Sequence, residues 1–253
     1  MSLNTPPIIR AAQSSRYWIN ENLLRINLDG RTYNIAKSIK TVIDVYVDAR
    51  KKEFIEFMGY CEEISRIRKE EPQKVVDFIK NLLRDDVDAR IFEIVSYAIL
   101  KEYYSDQKIY WGWEQDDLTE ENLILYKTGK TNANDGGIDF VMKPLGRFFQ
   151  VTETIDSSKY FLDIDKVQKY PITFVVKTDL PVEQIRIKVK EQAQARYLVK
   201  SVVALYMKSI EEIINITKLM ELFEEVLSKG GSTAIIGEIV VQSRFEFDLN
   251  EES

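Results

Sequence analysis

Residues 171–178 read PITFVVKT, a nearly continuous apolar run. A strand with one wet face alternates apolar and polar residues, whereas a strand covered on both faces does not. This run therefore predicts a buried parallel strand, and such a strand demands helices over both faces of its sheet. The flanking segments supply them: SSKYFLDIDKVQKY before the run and most of residues 181–229 after it read as helix, with breaks near Tyr197 and Asn215. Two more strands, Ile138–Lys143 and Arg147–Thr154, precede it, joined through the turn residues Pro144 and Gly146. The expected fold is α/β, a mixed central sheet flanked by helices.

The N-terminal third has a different texture. Residues 15–90 read as helical, with Ile39, Val42, Ile43, Tyr46 and Val47 at three- and four-residue spacing. Pro72 interrupts the pattern and opens a new helix at its first turn. A third helix carries Ile91, Ile94, Val95, Ala98 and Ile99 as its buried stripe. The division expected is an N-terminal helical region over 1–88 packed on a core over 89–253. After Gly230-Gly231 the stretch TAIIGEIVVQSRFEF reads as one or two terminal strands. Tyr110, Trp111 and Trp113 read as core aromatics rather than a base-stacking platform.

The chain contains no histidine and a single cysteine, Cys61. That excludes Ser-His-Asp and Cys-His hydrolases, histidine-ligated zinc enzymes and cysteine-pair zinc fingers. Hydrolytic chemistry on this chain must use carboxylates, lysines, hydroxyls and a hard metal such as Mg²⁺. A formal charge of −6 argues against non-specific coating of nucleic acid and leaves room for a local basic groove. No apolar run reaches the ~18 residues of a membrane span, and the first residues lack the pattern of a signal peptide. A cytoplasmic protein without a membrane partner is expected.

The hairpin carries polar groups that a core hairpin does not need. Side chains alternate along a strand, so Gln150 and Thr152 share one face of the second strand, and the first strand can present Asp139 to the same point. A cation held by the Asp139 carboxylate, the Gln150 amide oxygen and water would have the oxygen ligands Mg²⁺ prefers, with Mn²⁺ as a substitute.

Three segments in order, FEIVSYAILKEYY, DGGIDFVMKP and RFFQVTE, resemble the Mrr-like branch of the PD-(D/E)XK nuclease superfamily over residues 90–178. The resemblance implies a restriction-endonuclease-like fold, with Glu93 as the helix glutamate, Asp139 as the metal aspartate and Gln150 at the second ligand position. Where that pattern has a lysine, two residues after Gln150, this chain has Thr152. Three accounts stay open: Thr152 holds the attacking water while Lys159, Lys166 or Lys177 supplies the charge; Glu153 reaches the site; or the hairpin is catalytically silent.

The resemblance implies a Mg²⁺-dependent, site-specific endonuclease of double-stranded DNA, a type II restriction enzyme acting as a homodimer. The alternatives are a silent nucleic-acid-binding module on the same fold and a repair or junction nuclease. Candidate DNA contacts are Lys127, Lys130, Asn132 and Asn134 in the loop before the hairpin, and Arg186, Lys188, Lys190 and Arg196 in the densest basic stretch, which Lys200 ends.

Overall fold

The computed structural model describes residues 8–10, 17–66, 72–129 and 137–247. The chain divides into two compact units, Met1–Gly59 and Tyr60–Ser253.

In the first unit β1 (Ile8–Arg10) pairs antiparallel with β2 (Tyr17–Ile19), and β3 (Arg25–Leu28) with β4 (Arg31–Asn34). Residues 15–90 are thus not all helical. Asp29 and Gly30 both adopt positive φ, the two-residue turn whose twist suits a tight hairpin. Helix α1 (Ala36–Ser65) follows and runs across the boundary between the units. Of its apolar stripe, Val42, Ile43, Tyr46 and Val47 are exposed.

The second unit opens with α2 (Pro72–Leu82), which has proline at its first position as its sequence requires, and α3 (Ala89–Tyr104). The Asp88 carboxylate caps α3, accepting from the Arg90 N–H at 2.9 Å. Strands β5 (Lys108–Trp111) and β6 (Thr119–Asn122) form a separate hairpin. The expected aromatic core there is corrected: Tyr110 is 68% and Trp113 88% exposed, because a two-stranded hairpin has no second layer to cover both faces.

The central sheet holds β7 (Ile124–Lys127), β8 (Phe140–Lys143), β9 (Arg147–Thr152), β10 (Ile172–Val176) and β11 (Ile210–Ile214) in the order β11-β10-β9-β8-β7. β7, β8 and β9 run antiparallel, and β9, β10 and β11 parallel. The crossover from β9 to β10 is α4 (Ser157–Lys166), and that from β10 to β11 is α5 (Val182–Arg196) with α6 (Lys200–Ser209). The fold is mixed α/β, and the buried run of β10 is fully covered.

The two sheet faces have separate packing. Phe140 and Phe149 meet α3 through Tyr97 and Tyr104, with ring centroids 5.1 and 6.1 Å apart. On the other face Ile172, Phe174 and Val176 pack with Tyr160, Phe161 and Ile164 of α4 and with Ile185 and Val189 of α5. The rings of Tyr160 and Phe174 stack at 4.1 Å.

Two C-terminal expectations are corrected. Residues 210–214, read as helix, form β11, whose Ile210, Ile213 and Ile214 are buried beside β10. Helix α7 (Ile216–Ser228) then starts at Asn215, whose side chain accepts from the Lys218 N–H at 2.8 Å. The expected terminal strand is a helix, α8 (Ser232–Glu246). Its buried residues Ile235, Ile239, Ser243 and Glu246 recur every three or four positions, so packing along one helical stripe overrides the strand preference of its β-branched residues.

Candidate active site

Asp139 lies one residue before β8. Its N–H donates to the Phe149 carbonyl at 3.2 Å, and its carboxylate Oδ2 accepts from the Val151 N–H at 2.6 Å. The antiparallel ladder between β8 and β9 begins with Phe140↔Phe149, so Asp139 stands at its edge, next to Gln150 in the neighbouring strand. The carboxylate thus lies on the backbone of β9 at Val151, the residue that follows Gln150. Gln150 belongs to the face under α4, because it is in register with Phe174 of β10.

Neither group is at rest there. Gln150 is 8% exposed, and its Oε1 is buried without a hydrogen-bond partner. A buried acceptor left unpaired costs roughly 1–3 kcal/mol, so a cation or water reaching this oxygen would be favoured. Burial pushes the Asp139 carboxyl up to about 7, and the negative charges of Glu93 and Asp163 add to the shift against the Val151 N–H and Lys127.

Helix α4 brings a second acid to this end of the sheet. Asp163 occupies the helix's buried stripe beside Tyr160 and Ile164; it is 2% exposed and its Oδ2 has no partner. Its other oxygen binds the Lys166 ammonium at 2.8 Å, and Lys166 and Lys159 offset part of the rise that burial imposes on its pKa. The same ammonium donates to the Gly137 carbonyl at 3.3 Å, two residues ahead of Asp139. Gly137 has φ +70, and a Cβ there would lie 2.3 Å from the Lys166 Nζ. The glycine thus provides both the backbone turn and the seat for the lysine. Asp163 was missed in the sequence, although an acid within an apolar helical stripe is itself a signal.

The remaining expected site residues take other positions. Glu93 is buried and pairs with Lys127 at 3.0 Å, and Lys127 also meets Glu246 at 3.5 Å. The expectation that Lys127 contacts DNA is corrected: its side chain is 5% exposed and serves two buried carboxylates. Lys130, Asn132 and Asn134 lie outside the described residues. Thr152 is buried on the Gln150 face, and its hydroxyl oxygen accepts from the Thr154 N–H at 3.3 Å. Glu153 binds Lys177 at 2.8 Å, and Lys177 also donates to the Val87 carbonyl, which commits both of them away from the Asp139–Gln150 pair. Lys159 is exposed on α4. Arg196 bonds the Ser158 hydroxyl, while Arg186 and Lys190 line a groove between α5 and α6 that Lys188 does not reach.

The site therefore offers a carboxylate on the Val151 N–H, an amide oxygen from the residue before it, and a lysine ammonium on the Gly137 carbonyl. In kind this fits a hard divalent cation whose shell is completed by water. Among the described residues no group of three or more Asp, Glu, His or Cys side chains is placed to hold a metal ion, so the pair depends on the Gln150 amide. No protein-family model, curated protein or solved structure matches the chain.

Proposed function

We propose that the chain is a metal-dependent endodeoxyribonuclease that cuts double-stranded DNA at a specific site, in the manner of a type II restriction enzyme. The observation that carries the reading is the unpaired, buried Gln150 Oε1 together with a carboxyl raised to about 7 at Asp139, which is bound at the N–H of the next residue, Val151. A protein tolerates such a pair at a site of function, where a ligand removes the strain. Mg²⁺ held by the two oxygens would polarise a phosphodiester and lower the pKa of a bound water.

The succession of elements supports the same reading. A helix bearing Glu93, strands bearing Asp139 and Gln150, and a parallel strand after a crossover helix follow in the order that the resemblance to PD-(D/E)XK nucleases requires. The lysine missing at Thr152 has a substitute in Lys166, which Asp163 and the Gly137 carbonyl hold beside the loop leading into Asp139. Its ammonium is the charge we assign to offset the pentavalent phosphate. Lys177, bound by Glu153, is not available for that task. Cutting both strands calls for two copies of the site, so the working form proposed is a homodimer.

A second reading, a catalytically silent nucleic-acid-binding module, draws on the Thr152 hydroxyl being spent on its own strand end. Incubating supercoiled plasmid and linear DNA with the purified chain and Mg²⁺ separates the possibilities. Discrete fragments lost on chelation support the proposal. Nicking only at branched DNA points to a junction nuclease, and no cleavage with Mg²⁺ or Mn²⁺ overturns the catalytic reading.

A further inference from the structure

The groove between α5 and α6 is a cavity of about 520 Å³. Arg186, Lys190 and Gln194 line it from α5 at four-residue spacing, and Lys200, Ala204 and Lys208 from α6 at the same spacing. Residues four apart share a helix face, so two parallel polar edges frame the groove. Val203 and Met207 form part of an apolar floor between them. Among the described residues no Asp or Glu lines it.

The charge in this groove is unusual for the molecule. The chain carries 41 acidic against 35 basic residues. Elsewhere its lysines are often ion-paired, as in Lys40–Asp44, Lys108–Glu120, Lys169–Asp165 and Lys218–Glu221. Lys190, Lys200 and Lys208 have no ion pair among the described residues. Arg186 is anchored at one end of the groove by two 3.3 Å bonds to the carbonyls of Ile210 and Glu211, which fix its guanidinium without neutralising it. A cluster of four cations that form no ion pair among the described residues raises the energy of the free protein, and a bound anion relieves it.

The spacing limits what that anion is. Lys200 and Lys208 stand about 12 Å apart along the helix, at ~1.5 Å per residue. The small side chain of Ala204 between them leaves the middle of that edge open. A single phosphate would meet one end only, whereas charges repeated along a chain would meet both edges. The Val203–Met207 floor suits the apolar face of a sugar or base.

We propose that the α5–α6 groove is a binding site for consecutive nucleotide phosphates, separate from the Asp139–Gln150 pair. It rests on the nucleic-acid reading above for the source of those phosphates, a DNA strand; a free nucleoside polyphosphate carries the same chemistry. In the full chain the site holds substrate DNA away from the cut, so its loss weakens binding without altering the chemical step.

The test is binding of a short fluorescent DNA duplex to the full chain across a salt series, without divalent cation so that cleavage does not enter. Lys190→Gln, Lys200→Gln and Lys208→Gln are combined and compared with an equal-charge control, Lys51→Gln, Lys52→Gln and Lys80→Gln. All six lysines are exposed, so folding should survive, which thermal melting checks. Each lost phosphate contact removes ~0.9 from the slope of log K against log salt. The groove variant should therefore show a slope flatter by about 2–3, and binding weaker by roughly 10- to 100-fold at moderate salt, with the control near wild type. ATP and inorganic phosphate are run as competitors: binding of ATP but not duplex, lost in the groove variant, assigns the site to a free nucleotide. No binding of either, or equal behaviour of the groove variant and its control, overturns the proposal. A chain that binds as described but never cleaves sinks the nuclease reading alone. A chain that cleaves while the groove variant matches its control sinks the groove alone.

Discussion

Replacing Asp139 with asparagine should make the protein more stable and inactive at once. The carboxyl is raised from 3.8 to about 7 by burial and by neighbouring acids. A group whose pKa is raised on folding contributes its stability fully below the unfolded value, and that contribution is lost as pH rises through the folded value. Three units correspond to about 4 kcal/mol at ~1.36 kcal/mol each. Asp139 keeps some solvent contact, so about 2 kcal/mol is the better expectation at pH 8. Asparagine stays neutral at every pH and retains an oxygen to accept from the Val151 N–H. The variant should therefore melt roughly 4–8 °C above wild type at pH 8, with the gap closing to nothing near pH 4. Added Mg²⁺ should raise the wild-type melting temperature at pH 8 and leave the variant unmoved. Scanning calorimetry between pH 4 and 8 decides it. A destabilised variant at pH 8, or a gap that ignores pH, would refute the electrostatic account of this site.

Gln150→Ala should raise the Mg²⁺ concentration needed for half-maximal cleavage by about tenfold or more, since one oxygen donor is lost; an unchanged metal titration removes Gln150 from the site. Lys166→Ala should slow cleavage on the order of 10²–10³ with near-normal DNA binding, and Gly137→Ala should share the defect by displacing the ammonium. Single-turnover rates check both, and normal rates in the two variants remove Lys166 from the reaction. Lys127→Met should lower unfolding stability, because it takes a buried cation away from Glu93 and Glu246. Urea denaturation at pH 8 measures that loss, and a neutral outcome would mean that Lys127 is not what holds the two carboxylates in the interior.

The centre of the fold was legible because its signals are local. Pro144 and Gly146 mark the β8–β9 turn, and the unbroken run of β10 announces a strand covered on both faces. That Asp139 and Gln150 fall on neighbouring strands follows from that hairpin, since a tight turn sets the register. The β3–β4 turn carried a signal that helical periodicity downstream obscured: Asp29-Gly30 is a strong hairpin dipeptide. In α8 the two signals conflict, as Ile235, Ile236, Ile239, Val240 and Val241 favour strand by type and helix by spacing, and packing decides for the helix. The fate of Lys127 could not be read, because its partner Glu246 is 119 residues away along the chain. The α5–α6 groove was half visible: the basic stretch around Arg186 and Lys190 stands out, but Lys208 joins it only when α6 folds back on α5.

Cation binding at the Asp139–Gln150 pair is the claim on which the rest depends, and isothermal titration of Mn²⁺ into wild type, Asp139→Asn and Gln150→Ala tests it most directly. With the Asp139 carboxyl at about 7, binding at pH 6 must displace its proton, and at pH 8.5 it need not. Titration in buffers of different ionisation enthalpy should report roughly one proton released per cation at pH 6 and close to none at pH 8.5. Binding should vanish in Asp139→Asn and weaken in Gln150→Ala. Mn²⁺ binding of equal strength in all three proteins, or none in wild type, would contradict the account.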